Sequence, residues 1–192
     1  MIGLDLSLSS GRRPNFAPVP LNGGNLTTAP DDFTNAWWTK TGVTVTANQS
    51  GAPDGTTTMD AVVPTAANTD HWINSSAVSV LTSVTVDFIV KTNGYNKIML
   101  RENSATGAYA SFNVGTVSVI ETANVGLFTV SAPAITALAN GSYRISAVFT
   151  PTVPAAYTFG PWILPASYTT GNAVAWTGDG TSGMFLWHGQ IY

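Results

Sequence analysis

From about residue 31 onward, apolar and polar side chains alternate with a period of two. Val84, Val86, Phe88 and Val90 alternate with Thr85, Asp87, Ile89 and Lys91. Tyr143, Ile145, Ala147 and Phe149 alternate with Arg144, Ser146, Val148 and Thr150, and Val43, Val45 and Ala47 with Thr44 and Thr46. Successive side chains of a strand point to opposite faces, so this spacing predicts strands with one buried face. Further strands are predicted at 57–63, 70–75, 97–102, 108–114, 127–132, 156–164 and 183–191. Turn residues separate them: Ala52-Pro53-Asp54-Gly55, Thr92-Asn93-Gly94, Ala139-Asn140-Gly141 and Thr177-Gly178-Asp179-Gly180. No segment of a dozen residues keeps helical spacing without Gly, Pro or a β-branched run. Short strands with turn signals every 8–12 residues or so mark an all-β sandwich or barrel. About ten strands fit two stacked sheets, which selects an antiparallel, jelly-roll-like β-sandwich over residues 25–192.

Residues 1–24 follow a different pattern. Pro14, Pro18 and Pro20 are interspersed with Gly3, Gly11, Gly23 and Gly24. Proline at this density forbids a helix and favours extended backbone. A polar linker would not carry Leu4, Leu6, Leu8, Phe16, Val19 and Leu21. The segment reads as an extended arm that docks through Leu4, Leu6, Leu8, Arg12, Arg13 and Phe16, either on its own domain or on a neighbouring subunit.

Composition sharpens this picture. The chain has 192 residues, of which only 9% are charged, against about 25% in a typical soluble domain. Hydrophobic residues are a normal 44%, so a disordered chain is excluded. Thr, Ser and Asn replace the missing charges, and Thr suits the outer face of a sheet. A net charge of −3 with seven scattered Lys and Arg argues against a nucleic-acid partner. There is no cysteine, which excludes disulfides and thiolate chemistry. No apolar run is long enough for a membrane helix, so no membrane insertion is expected. Met1-Ile2-Gly3-Leu4-Asp5 opens without a basic leader, so no signal peptide is expected.

Three stretches carry a resemblance. The first runs from Asn25-Leu26 to Trp37-Trp38 and on through Val43-Thr44-Val45-Thr46-Ala47-Asn48. The second is Pro53-Asp54-Gly55-Thr56 leading to Met59-Asp60-Ala61. The third joins Gly141-Ser142-Tyr143-Arg144-Ile145-Ser146 with Thr177-Gly178-Asp179-Gly180-Thr181 and Leu186-Trp187-His188-Gly189-Gln190. Together they resemble phage tail and virion structural proteins with a carbohydrate-binding-module-like, concanavalin-type jelly roll, over residues 25–192. The chain departs from that pattern at His188, where the family often has Gly, and at Ser142, where it often has Trp. The resemblance implies a bacteriophage virion protein, either a head decoration or a tail or fibre module. Its partners would be capsid, portal, neck or tail proteins. It would be a homo-oligomer, a trimer by analogy, made in the host cytoplasm and located in the virion.

The residues offer no catalytic constellation: no nucleophile elbow, phosphate loop, dinucleotide fingerprint or His-Glu-x-x-His is present. The expectation is therefore no enzyme and no catalytic residue. A glycan-active module would need two facing carboxylates, for which Asp87 and Glu102 are the strand-borne candidates. Arg144, beside Tyr143, reads as a paired arginine. Sugar binding is better motivated, because sugar C–H faces stack on aromatic rings while hydroxyls bond to Asn, Asp and Arg. Trp72 shares a strand face with Asp70 and Asn74, the pattern of a stacking platform. Trp37 and Trp38 are adjacent, so one is core and the other is free to be exposed. These residues are the candidates for contact with a host surface polysaccharide, the adhesin reading. Parity puts Trp187 in the core with Phe185 and Ile191, and assigns neither Trp162 nor Trp176. No cofactor is expected beyond a structural calcium, for which Asp54, Asp60 and Asp179 are the candidates, set among glycine turns.

Overall fold

The structure is a computed structural model that describes residues 24–192. The expected arm, with Leu4, Leu6, Leu8, Arg12, Arg13 and Phe16, lies outside the described residues apart from Gly24. The strands are β1 (Trp38–Thr41), β2 (Val43–Ser50), β3 (Met59–Pro64), β4 (Asn68–Thr69), β5 (Trp72–Ser75), β6 (Val78–Val80), β7 (Val84–Asn93) and β8 (Lys97–Glu102). They continue as β9 (Tyr109–Asn113), β10 (Ser118–Ala123), β11 (Phe128–Ala137), β12 (Tyr143–Pro151), β13 (Ala155–Tyr157), β14 (Phe159–Leu164), β15 (Trp176–Thr177) and β16 (Gly183–Ile191). Among the described residues, the one helical element is a 3₁₀ turn, Ala139–Gly141, at the β11–β12 corner.

Twelve of these strands form two antiparallel sheets of six. The first has the order β1-β5-β14-β8-β9-β10, and the second β11-β12-β7-β16-β3-β2. Two-stranded pairs, β6 with β13 and β4 with β15, sit beside them. The all-β, sandwich-like arrangement expected from the period of two is therefore present.

The alternation in the sequence becomes a division between faces. Val84, Val86, Phe88 and Val90 of β7 turn inward with Ile145, Ala147 and Phe149 of β12. They meet Ile73, Ile98, Leu100, Phe112, Phe159 and Ile163 of the first sheet. Two aromatic groups span the gap. Trp38 of the first sheet lies 5.7 Å from Phe88 of the second, with Phe33 packed on both. Phe159 of the first sheet lies 5.3 Å from Phe149 of the second, and Phe128 closes against both. Such pairs add about 0.5–1.5 kcal/mol each beyond the area they bury.

Several local expectations change. Thr92-Asn93-Gly94 is no hairpin turn: β7 ends at Asn93 in the second sheet and β8 opens at Lys97 in the first, so this stretch crosses between sheets. Trp187 does not share a face with Ile191. His188 takes a left-handed φ of 53°, and the register with β7 shifts between Trp187 and Gln190. This bulge resets parity, so Ile191 is core while Trp187 is half-buried on the outer face against Ala52, Met59 and Ile89. Gly189 follows, where a Cβ would press on the rings of Phe88 and Phe33. A second bulge lies in β11, an edge strand, whose pairing skips Ala132 (φ 46°) and Pro133. Strand β10 goes unannounced by the sequence pattern, because Val119 and Ile120 straddle a bulge of their own.

Phe88 touches both sheets, and truncation to alanine would leave a void between them. Phe88→Ala is expected to cost about 3–5 kcal/mol in denaturant unfolding. Leu81→Ser, at an exposed turn, is expected to change stability by less than about 0.5 kcal/mol in the same assay.

Candidate functional site on the outer face of the first sheet

The first sheet buries its inner face in the core, yet its outer face is also occupied by large side chains. Register aligns Thr41, Trp72, Trp162, Met99, Ser111 and Glu121 across all six strands. The adjacent row is Thr39, Asn74, Gly160, Arg101, Tyr109 and Ala123. Trp72 and Trp162 stack with centroids 5.7 Å apart and planes 25° from parallel. The Arg101 guanidinium lies over the Trp162 ring at 4.2 Å from its centroid. Gly160 makes this possible: a Cβ there would collide with the Ile73 carbonyl oxygen and press on the Asn74 amide.

A strap of residues 165–175 crosses one half of this face. Lys97 Nζ donates to the carbonyls of Ala166 and Tyr168, at 2.6 and 2.5 Å. Glu121 Oε1 accepts from the Gly171 N–H at 2.5 Å, the Tyr168 hydroxyl at 2.8 Å and the Tyr109 hydroxyl at 3.1 Å. Burial and then the Glu121 carboxylate push the Tyr109 hydroxyl up to about 12, and burial raises Tyr168 as well. Met99, Tyr109, Trp162, Leu164 and Tyr168 form an apolar cluster under the strap. Beyond it, Trp72 is half-buried and Thr39 exposed.

The polar groups beside Trp72 are incompletely bonded. Among the described residues, four buried side-chain polar atoms have no hydrogen-bond partner: Asn74 Nδ2 and Oδ1, Arg101 Nε, and Trp162 Nε1. All four fall on β5, β8 and β14, in the same two rows of one sheet face. Buried polar groups nearly always find partners, and leaving one unmet costs free energy. Arg101 Nη2 is held at 2.9 Å by the Ser104 carbonyl. Burial lowers the affinity of this guanidinium for its proton, while the charges of Asp70 and Glu102 work the other way.

The candidates from sequence are thus divided. Trp72 and Asn74 share one face of β5 as expected, with Trp72 half-buried and Asn74 1% exposed, while Asp70 lies before the strand and is half-buried. Trp38 is core, with its Nε1 donating to the Ala29 carbonyl at 2.7 Å. Trp37 packs edge-on against it at 4.6 Å and is half-buried. Neither belongs to the Trp72 face, because β1 turns Trp38 inward opposite Ser75. Trp162, Arg101 and Gly160 are the members that sequence reasoning missed. Strand β14 is apolar on both faces, so parity within it is silent, and the register across strands decides. Arg101, which follows Ile98-Met99-Leu100 in a predicted strand, was the available signal.

The facing carboxylate pair does not form. Asp87 points out of the second sheet and takes the Arg144 guanidinium, whose Nε lies 2.6 Å from Asp87 Oδ2. Glu102 is buried at the end of β8 in the other sheet, accepting from the Ser104 hydroxyl at 2.7 Å. The three calcium candidates do not converge either. Asp54 accepts from the N–H and hydroxyl of Thr56, at 2.9 and 2.7 Å. Asp60 accepts from the N–H groups of Phe33 and Asn48, at 2.8 and 3.0 Å. Asp179 accepts from the N–H groups of Thr181 and Ser182, at 2.8 and 2.6 Å. Each carboxylate accepts from backbone N–H groups, and no group of three His, Cys, Asp or Glu among the described residues could hold a metal ion.

Compared with known proteins, the chain matches no family model and no curated protein sequence.

The two structural aspartates are expected to titrate in opposite directions. The Ser182 hydroxyl and the Thr181 and Ser182 N–H groups hold Asp179 down at about 2. Its contribution to the turn is present at neutral pH and lost as the pH falls from the ordinary aspartate value through about 2. Burial, opposed by the Asn48 and Phe33 N–H groups, raises Asp60 instead. Its charged form therefore weighs against the fold at neutral pH, and that weight is lifted as the pH falls through the folded value. A carboxyl-detected NMR titration checks both; Asp60 titrating at or below Asp179 would contradict them.

Proposed function

We propose that this chain is a structural module of a bacteriophage virion, a head decoration or a tail or fibre component built on a jelly-roll-like sandwich. The observation that carries this reading is an uncharged apolar end of the sandwich. Leu81 (73% exposed), Leu127 (47%) and Val153 (53%) project from three neighbouring turns. The turns are tied together: the Thr152 N–H donates to the Leu127 carbonyl at 2.7 Å, and Val80 pairs with Ala155. None of residues 81–83, 124–127 and 152–154 is charged. Exposed apolar side chains grouped without charge mark surfaces that rest on other proteins. The sequence resemblance and the apolar pattern of residues 1–24 support the same reading, with the arm as anchor to capsid or tail and the module as a homo-oligomer.

The test is incorporation into the particle. The chain lacking residues 1–24 is expected to stay folded by circular dichroism and to be absent from purified particles that incorporate the full chain. A truncated chain that still joins the particle would sink the anchoring role.

A second reading is favoured by a separate observation: the Trp72–Trp162 pair, Arg101 and the unpartnered Asn74 amide on one sheet face. An aromatic surface with polar groups beside it is what a saccharide requires. On this reading the module contacts glycans of the host surface, as an adhesin does. Nothing in the described geometry favours the third reading, a glycan-active enzyme.

A further inference from the structure

We propose that the outer face of the first sheet takes a carboxylated sugar, a uronate residue of an acidic polysaccharide, in preference to a neutral one. This rests on the reading that the face binds a saccharide. It adds the charge and the orientation of that saccharide.

The argument is an imbalance of donors. Of the four unpartnered buried atoms, three donate: Asn74 Nδ2, Arg101 Nε and Trp162 Nε1. Only Asn74 Oδ1 accepts. A sugar hydroxyl brings both a donor and acceptor lone pairs, so neutral hydroxyls would leave their own protons short of partners here. A carboxylate is an acceptor only, with two oxygens and room for several donors.

The charge points the same way. Arg101 is 4% exposed, and among the described residues it takes part in neither ion pair, which join Arg144 to Asp87 and His188 to Asp31. Its only bonds are to backbone carbonyls, those of Ser104 at 2.9 Å and Ala105 at 3.5 Å. A guanidinium stays protonated in a protein, so this is a buried cation without a bonded anion. Stacking on Trp162 holds the guanidinium, and a planar carboxylate is the partner that matches its unbonded, buried Nε–H. A carboxylate on a pyranose ring satisfies that N–H while the ring's C–H face lies on Trp72, whose indole is already aligned by Trp162.

The test uses the full chain and a panel of oligosaccharides of galacturonate, glucuronate and mannuronate, each beside its carboxyl-reduced counterpart. Affinities are measured by calorimetry, and the Asn74 side-chain amide and Trp162 indole N–H are followed by NMR. At least one uronate is expected to bind about tenfold or more tighter than its reduced form, as one charge-assisted hydrogen bond would give. Both NMR signals are expected to shift. Arg101→Lys, checked for folding by circular dichroism, is expected to abolish the preference for the acid. Trp72→Ala is expected to weaken both forms alike. Equal affinity for acid and reduced forms overturns the carboxylate and leaves the saccharide reading standing. Uronate binding that leaves both NMR signals unmoved places the sugar elsewhere and overturns the site. A folded chain that binds no member of the panel overturns this inference and counts against the saccharide reading itself.

Discussion

Two sheets without a disulfide or a long helix between them are held face to face by side chains alone. In this molecule that contact is the inward row of every second residue, and the rest follows from it. Because Phe88 must meet Trp38, and Phe149 and Phe128 must meet Phe159, across the gap, the strands that carry them are fixed in register. A slip by one residue would turn the apolar face of β7 or β12 to water. The bulge at His188 obeys the same constraint. It gives β16 an inward Leu186 and an inward Ile191 on either side of an odd spacing.

The scarcity of charge makes the roles of several ionisable groups among the described residues legible. Asp60 fastens the Phe33 and Asn48 backbones at one margin of the core. Arg144 and Asp87 join neighbouring strands on the outer face of the second sheet, with the Tyr192 hydroxyl 3.2 Å from Arg144 Nη2. Lys97 and Glu121 hold the strap over the first sheet. Against that background Arg101 stands out, since its charge is stacked and buried but paired with no carboxylate. In a chain of ordinary charge density, one more arginine would draw no notice.

Most of the architecture could be read from periodicity, because a period of two is a local signal and strands declare it residue by residue. Strands over 84–91 and 143–150 were legible for that reason. Bulges were not, since a left-handed φ at His188 or Ala132 leaves no mark on the apolar pattern. The site was half legible. Parity within one strand grouped Trp72, Asp70 and Asn74. It could not bring Trp162 and Arg101 to them, because pairing between distant strands is a tertiary fact. Nor could it foresee that Asn74, polar by type, would be buried with its amide unmet.

Strand β11 lies at the rim of the second sheet, where an open backbone invites another chain to continue the ladder. Its middle offers Pro133, which has no N–H to donate, and Ala132, turned out of register by its left-handed backbone. A neighbour copying the strand would lose its pairing halfway along. A second chain would therefore meet this rim of the second sheet through side chains and turns rather than by extending its ladder.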